Sequence, residues 1–321
     1  MRLQAFFVVL IFSFHQVLAA EEELQLPADL STIDDGRAPI RQLFSSYGSL
    51  LERGWKLDVV AYSHPGNTRH DIPIIALRSA LSGPAIWIIS GIHGEEPAGP
   101  NAIAAVIDEI AALGERRPVV LIPLSNPHGY ARNWRYLNAA IWAEDIDAQS
   151  VGDSSHMLPD ADHPGQARAD AASSAEAAAM TRYVVDKLAE YPPLISIDLH
   201  EDDKIPAGYV YSQGVRGASE PLAAEAVRIL RENAIPIKLN GKTRFDEEIV
   251  SGIIGPVTDS SIDELMSATE IIVDGRPQAG PAADTVLVFE TPAANLPLAR
   301  RIRAHEALLR RIIRLLAEAD N

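Results

Sequence analysis

Two segments of this sequence carry side chains that could hold a metal ion. His93 and Glu96 are separated by two residues, a spacing at which an imidazole and a carboxylate can reach one ion from a single turn. His200 ends a run of alternating polar and apolar residues, and Asp198 shares its face of the predicted strand. Because catalytic zinc sites use three protein ligands and a water molecule, we expect one zinc ion on His93, Glu96 and His200, with Asp198 orienting one of the histidines.

Three further residues could act beside such an ion. Glu290 ends an apolar stretch, and a partly buried Glu can accept the proton of a zinc-activated water molecule. Arg132 and Arg135 follow a predicted strand, and a guanidinium can hold a carboxylate or polarise a carbonyl. Taken singly, each residue also has an ordinary structural explanation, a salt bridge for Glu290 and solvated side chains for the arginines and His200.

Apolar patterning predicts the elements that must position these residues. Strands and helices alternate, which indicates a single α/β domain with a mixed, mostly parallel sheet flanked by helices; ligand sites in such sheets gather at the carboxyl ends of strands. Residues 144–170 show no periodicity and predict a long loop, either mobile or folded over a site. The predicted strands are residues 55–62, 72–77, 84–89, 118–124, 194–199, 209–211 and 286–289, with a turn at 64–67, and the predicted helices are residues 100–113, 174–188, 220–232 and 298–316.

Composition excludes several classes of function. The chain has 321 residues, with 44 acidic and 28 basic side chains and a net charge of −16. Such a charge disfavours nucleic acid and anionic membrane surfaces, so we expect neither as a partner. The sequence contains no cysteine, which excludes disulfides, a thiol nucleophile, iron–sulfur clusters and thiolate zinc sites.

Residues 1–20 have the pattern of a signal peptide. Arg2 precedes an apolar run that closes on small residues. The run is too short, and too soon interrupted by polar residues, to span a bilayer. We therefore expect residues 21–321 to form a catalytic domain without a membrane anchor, and the mature protein to be exported, either to the periplasm or outside the cell. The oligomeric state is not encoded in any pattern that we find.

From about residue 55 to residue 291, the sequence resembles the zinc carboxypeptidase family. Residues 90–96 resemble the first zinc motif of the family, and Asp198-Leu199-His200 resembles the second. Phe289-Glu290-Thr291 resembles the segment that bears the general base. The resemblance implies that His93, Glu96 and His200 bind zinc and that Glu290 is the general base.

The segment around Arg135 extends this resemblance. Residues 126–129 are similar to the Asn-Pro-Asp-Gly loop of the family, with His128 in place of Asp. Arg132 and Arg135 then fall where the family has its active-site arginines, which implies a substrate-binding role for Arg132 and stabilisation of the oxyanion by Arg135. Residues 260–263 faintly resemble the specificity-pocket segment.

Two features depart from the family pattern. Residues 151–155, which correspond to the segment with an Asn-Arg pair that grips the substrate carboxylate, contain no Arg, and no Tyr lies between Tyr211 and Glu290. Residues 91–96 fit the Gly-x-His-Gly-x-Glu motif of the aspartoacylase and succinylglutamate desuccinylase branch equally well. We expect a zinc-dependent amide hydrolase acting on exported peptides, including cell-wall peptides. The alternatives are an N-acyl amino acid deacylase and a non-catalytic zinc- or peptide-binding protein.

Overall fold

The structure is a computed structural model that describes residue 26, residues 33–63 and residues 71–318. The predicted signal peptide at residues 1–20 and the predicted turn at 64–67 lie outside these residues. Among the helices that are described, none combines the length and apolar character needed to cross a membrane.

A ten-stranded sheet forms the centre of the molecule. The apolar runs of the sequence form strands that are buried along their whole length. In chain order the strands of the sheet are β1 (Lys56–Ser63), β2 (Ile72–Arg78), β3 (Ala85–Ser90), β4 (Val119–Ile122), β5 (Pro193–Asp202), β6 (Tyr209–Ser212), β7 (Asn240–Lys242), β8 (Glu248–Val250), β9 (Ile253–Ile254) and β12 (Thr285–Pro292), whereas β10 (Glu270–Val273) and β11 (Arg276–Ala279) form a separate antiparallel pair.

The sheet is parallel at its centre and largely antiparallel on both sides. Its strand order is β1-β2-β4-β3-β5-β12-β6-β9-β8-β7. The four central strands β4, β3, β5 and β12 are parallel neighbours, whereas β2 and β6, which flank them, are antiparallel to β4 and β12. The predicted mixed sheet flanked by helices is confirmed. Because the central strands run in one direction, the carboxyl ends of β3, β5 and β12 meet at one edge.

Helices cover both faces of the sheet. Successive residues of β3 alternate between two hydrophobic cores, with Ile86 and Ile88 in one and Trp87 and Ile89 in the other, so each face buries apolar side chains. The helices are α1 (Ile40–Gly48), α2 (Ala98–Ala105), α3 (Ile107–Gly114), α4 (Pro127–Arg132), α5 (Ala175–Lys187), α6 (Pro221–Glu232), α7 (Ile262–Ser267) and α8 (Leu298–Glu318), with 3₁₀ turns at Ser49–Arg53 and Gly217–Ser219.

The predicted helix at residues 100–113 is two helices. The helical conformation is interrupted at Val106, which has φ −115° and ψ 22°. Ile103, Val106 and Ile110 are nevertheless all completely buried. The apolar period continues across the interruption, which is why periodicity alone predicted one helix.

The long loop at residues 144–170 is packed against the domain. Apart from an isolated bridge between Pro159 and Ala167, it contains neither helix nor strand. Val151 and Leu158 are buried in the core on one face of the sheet, and Arg168 donates hydrogen bonds of 2.7 and 2.5 Å to the carboxylate of Glu264. The loop does not contribute to the lining of the cavity described below.

Candidate active site

The carboxyl ends of β3, β5 and β12 bring the predicted site residues together. His93 and Glu96 lie in the loop that follows β3, His200 lies in β5 and Glu290 in β12. In the parallel pair β5–β12, His200 is the register partner of Glu290. His93, His200, Glu290 and Arg135 line one cavity, and Glu96 is buried beside them with 2% of its surface exposed.

Two glycines allow the loop after β3 to turn closely against its neighbours. Gly91 has φ +66°, a conformation that favours glycine. At Gly94, an added Cβ would lie 2.1 Å from the carbonyl carbon of Gly129 in α4. A larger residue at position 94 would therefore push the loop that carries His93 away from α4.

The side chains of His93, Glu96 and His200 converge on one point. Glu96 Oε1 lies 2.8 Å from His93 Nδ1, and Glu96 Oε2 lies 3.0 Å from His200 Nδ1. The possible ligand atoms of the three residues are all within 4.8 Å of one another. Tetrahedral zinc with ligands at about 2.0–2.2 Å places neighbouring ligand atoms roughly 3.3–3.6 Å apart. The separations of 2.8 and 3.0 Å are shorter than this, because the three side chains contact one another directly. Two imidazoles and a carboxylate that converge in this way are a donor set that fits zinc.

The two histidines have different surroundings. Burial, with a contribution from Arg135, lowers the pKa of His93 to about 4, so that its imidazole is neutral as a metal ligand must be. His200 Nε2 lies 3.0 Å from Asp198 Oδ2, which leaves Nδ1 to face Glu96. Asp198, His200 and Asp263 form a second acidic group. Because His200 belongs to both groups, we interpret the two aspartates as partners of His200 and not as a second ion site.

The side chain of Glu290 is buried at the edge of the cavity. Oε2 makes no hydrogen bond with the described residues, and only 9% of the residue surface is exposed. Burial raises the pKa of this carboxyl well above its usual range. An unsatisfied buried carboxylate costs free energy, and at the edge of a cavity it can exchange a proton with a molecule that enters.

The guanidinium of Arg135 contacts Glu96, the carboxylate of the expected metal site. Its Nη1 donates hydrogen bonds of 2.8 Å to Glu95 Oε1 and 2.9 Å to Glu96 Oε1, and Nε donates a longer one of 3.4 Å to Tyr136. Within the part of the chain that the structure describes, no hydrogen bond uses Nη2. Arg135 is thus anchored by two carboxylates and keeps a donor that can reach into the cavity.

Comparison with known proteins identifies the fold. No protein-family model matches the sequence. Carboxypeptidase 2 of Trichophyton tonsurans is 28% identical over 138 residues, which are 39% of this chain and 21% of that protein. The chain therefore spans about a fifth of the length of this relative.

The similarity to solved structures covers most of the chain. A protein from Shewanella baltica, provisionally named a metallopeptidase, matches with a TM-score of 0.66 and 21% identity over 86% of this chain and 90% of that one. The metallo-carboxypeptidase from Burkholderia cenocepacia matches with a TM-score of 0.55 and 14% identity over 88% and 70% of the two chains. This chain has the metallocarboxypeptidase fold. The predicted resemblance is thereby confirmed at the level of the fold.

Within this metallocarboxypeptidase fold, the two predicted arginines take different positions. Arg135 lines the cavity, whereas Arg132 is outside its lining and lies over the ring of Trp134, 5.1 Å from its centroid. Arg132 ends α4, and Asn133 follows it in the left-handed conformation with φ 59°. Because the helix ends between the two arginines, they do not share a helix face.

The cavity also contains residues that we did not predict from the sequence. They come from β6, from the residue that follows it closely, and from the turn between β7 and β8, and none of these segments carries a motif. The two tyrosines of β6 alternate with an apolar residue, which is the one signal that could have placed them on a common face. The residues are Tyr209, Tyr211, Gln213, Thr243, Arg244 and Phe245.

A buried ion pair joins the end of β5 to the last helix of the metallocarboxypeptidase fold. Glu201 follows His200 and is fully enclosed, and its Oε1 accepts a hydrogen bond from Nη1 of Arg301 in α8. Oε2 accepts a hydrogen bond of 2.8 Å from the backbone N–H of Ala98, at the start of α2. The backbone N–H of Glu201 in turn donates to Glu96 Oε2 at 3.0 Å. Glu201 thus links α2 and α8 to a predicted metal ligand.

Replacing Arg301 by methionine should destabilise the protein strongly. The variant keeps most of the side-chain volume but leaves Glu201 as an unpaired buried carboxylate, and breaking such a pair typically costs about 3–5 kcal/mol. The free energy of unfolding, measured by urea denaturation, should fall by this amount. Arg303→Met, at an exposed position of the same helix, is the matched control and should change stability by less than about 0.5 kcal/mol. Equal losses in the two variants would show that the pair does not stabilise the fold.

Proposed function

We propose that this protein is a zinc-dependent metallocarboxypeptidase that hydrolyses the amide bond of peptides with a free C-terminal carboxylate. One observation carries the proposal. His93 and His200 of the group His93–Glu96–His200 line one cavity with Glu290, whose Oε2 has no hydrogen-bond partner among the described residues. This cavity lies on the fold that the chain shares with a metallo-carboxypeptidase. A site that only bound zinc or a peptide would not need a buried carboxylate without a partner.

The chain supplies the groups that such a hydrolysis needs. When bound, a zinc ion supplies Lewis acidity that makes water a nucleophile at neutral pH. Glu290 accepts the proton of the attacking water and then delivers it to the nitrogen of the leaving amine. Arg135 donates a hydrogen bond from Nη2 to the carbonyl oxygen as negative charge develops there, and this charge-assisted contact stabilises the oxyanion.

We propose that the reaction takes place outside the cytoplasm. The pattern of residues 1–20 supports export, and peptides of the periplasm or the cell wall are then the available substrates. The negative charge of the chain makes a nucleic-acid substrate unfavourable.

Removal of the metal should abolish hydrolysis. The purified protein, dialysed against a chelator, should lose its activity on a set of unblocked peptides and regain it with about one equivalent of zinc per chain. Release of C-terminal residues can be followed by mass spectrometry, and zinc content by elemental analysis of the same samples. Circular dichroism of the apoprotein serves as the control that the fold survives chelation.

The same assay separates the proposed function from its alternatives. N-acyl amino acids are tested beside the peptides. Release of a free acid from these compounds, with no cleavage of peptides, would identify a deacylase. Zinc binding without hydrolysis of either substrate class would identify a binding protein and overturn the enzymatic proposal.

A further inference from the structure

A second guanidinium lines the cavity. Arg244 lies in the turn between β7 and β8 and faces the same cavity as His200 and Glu290. Among the described residues it has no carboxylate partner, and it lies over the ring of Phe245, whose centroid is 4.7 Å from Cζ. The group is thus a cation at the cavity that is not engaged by any acidic side chain described here.

The turn that carries Arg244 is tied to the strands of the active site. Thr243 Oγ1 and Tyr211 Oη both donate hydrogen bonds to Glu247 Oε2, at 2.6 and 2.9 Å. Tyr211 belongs to β6 and is paired in register with Val288 of β12, two residues before Glu290. The hydrogen bonds of Glu247 therefore fix the position of the turn at Arg244 relative to β12, the strand that carries Glu290. The turn and β12 are about 45 positions apart in the sequence.

The cavity lining is rich in carboxylates, so an anionic substrate group needs a cation to bind there. The lining contains several carboxylates, among them Asp202, Asp203, Asp259 and Asp263, so an anionic group that enters is repelled unless a cation receives it. The other guanidinium of the lining, that of Arg135, already contacts Glu95 and Glu96. Of the two cavity-lining arginines, Arg244 is the one whose whole guanidinium is free of carboxylate contacts among the described residues.

We propose that Arg244 binds the free carboxylate of the substrate. This inference rests on the proposed function and deepens it, because it assigns a recognition residue for a C-terminal carboxylate. Residues 151–155, where the resemblance places an Asn-Arg pair, contain no Arg and do not line the cavity. Arg244 reaches the cavity from a different part of the chain, and its planar guanidinium can receive both carboxylate oxygens.

The test compares two substrates with the wild type and two variants of Arg244. The substrates are the peptide that the wild type cleaves fastest and the same peptide with a C-terminal amide. Arg244→Gln should lower kcat/KM for the free acid by roughly 10- to 100-fold, which is the usual contribution of a hydrogen-bonded charged group, mainly through a higher KM. Its kcat/KM for the amide should match that of the wild type. Arg244→Lys keeps the positive charge but lacks the paired N–H donors of a guanidinium, so its kcat/KM for the free acid should be intermediate.

Binding of the reaction product provides a second readout. The free amino acid that the enzyme releases, and its amide, are measured as competitive inhibitors. Arg244→Gln should weaken inhibition by the acid and leave inhibition by the amide unchanged. The matched control, Arg276→Gln, changes an exposed arginine of β11 outside the cavity and should behave as wild type. Zinc content and melting temperature are measured for all variants.

The outcomes distinguish the two proposals. If the wild type cleaves free-acid peptides and Arg244→Gln retains its preference for acid over amide, the role of Arg244 is wrong while the proposed function stands. If the wild type with bound zinc cleaves neither peptides nor N-acyl amino acids, both proposals are overturned. A loss of zinc or of melting temperature in Arg244→Gln alone would show a structural role and would also overturn the inference.

Discussion

Glu290→Gln should hydrolyse peptides about 10²- to 10⁴-fold more slowly than the wild type, the usual contribution of a general acid–base group. Glutamine occupies the same volume as glutamate but can neither accept the proton of the attacking water nor return it to the leaving amine. The side chain lies outside the His93–Glu96–His200 group, so the variant should still bind about one zinc ion per chain. The quantities to measure are kcat on a cleaved peptide and the zinc content of the same preparation.

Stability separates a catalytic role of Glu290 from a structural one. Oε2 of Glu290 is buried without a partner in the described residues, and a neutral amide costs less to bury than a carboxylate. The melting temperature of Glu290→Gln should therefore be equal to or above that of the wild type. Glu248→Gln, at an exposed position of β8, is the control for an unspecific effect of the substitution. Turnover at the wild-type rate in Glu290→Gln would refute the assignment of the general base.

His200→Ala should bind zinc far more weakly than the wild type. The substitution removes one of the three expected ligands, and the loss should exceed the roughly 10- to 100-fold decrease that follows removal of an outer-shell partner. Asp198→Asn should have a smaller effect, because Asp198 contacts the ligand and not the ion: its Oδ2 lies 3.0 Å from His200 Nε2. We expect this variant to lose about 10- to 100-fold in zinc affinity. Zinc affinity is measured by competition with a chromophoric chelator.

An exposed histidine provides the control for this series. The side chain of His163 is 64% exposed and lies beside Asp160, away from the three expected ligands, so His163→Ala should keep the wild-type affinity for zinc. Wild-type affinity in His200→Ala would exclude the three-ligand site. Circular dichroism spectra of all variants establish that a loss of affinity is not a loss of fold.

Short-range patterns were sufficient to predict the centre of the fold. The apolar runs that became β3 and β12, and the alternating polar and apolar run that became β5, lie within three residues of their predicted bounds. These patterns are local, because a strand buried on both faces is apolar along its length and alternate residues of a strand share one face. The ends of parallel neighbours meet at one edge, so motifs at those ends were expected to converge. For this reason the structure brings together residues from loops and strands that are about 100 and 200 positions apart in the chain.

Short, exposed elements could not be predicted in this way. All three residues of β7 are exposed, so this strand lacks the alternation that marks a half-buried strand. In β8 one buried residue lies between two exposed ones, but three residues are too few to reveal a period. α7 has six residues, fewer than two turns, and shows no helical period. The turn between β7 and β8 carries Arg244 to the cavity, and α7 contributes Asp263 to the cavity lining.

Which arginines line the cavity depends on contacts between segments that are distant in the sequence. Arg132 and Arg135 look equivalent in the sequence, yet α4 ends between them at Asn133 and only Arg135 lines the cavity. Arg244 has no motif, and its place is set by the hydrogen bond from Tyr211 to Glu247, 36 positions away. Spacing along the chain encodes which residues share a turn or a strand face, because that geometry is local. Which side chains meet across a cavity follows from how the elements pack, and no local pattern contains that information.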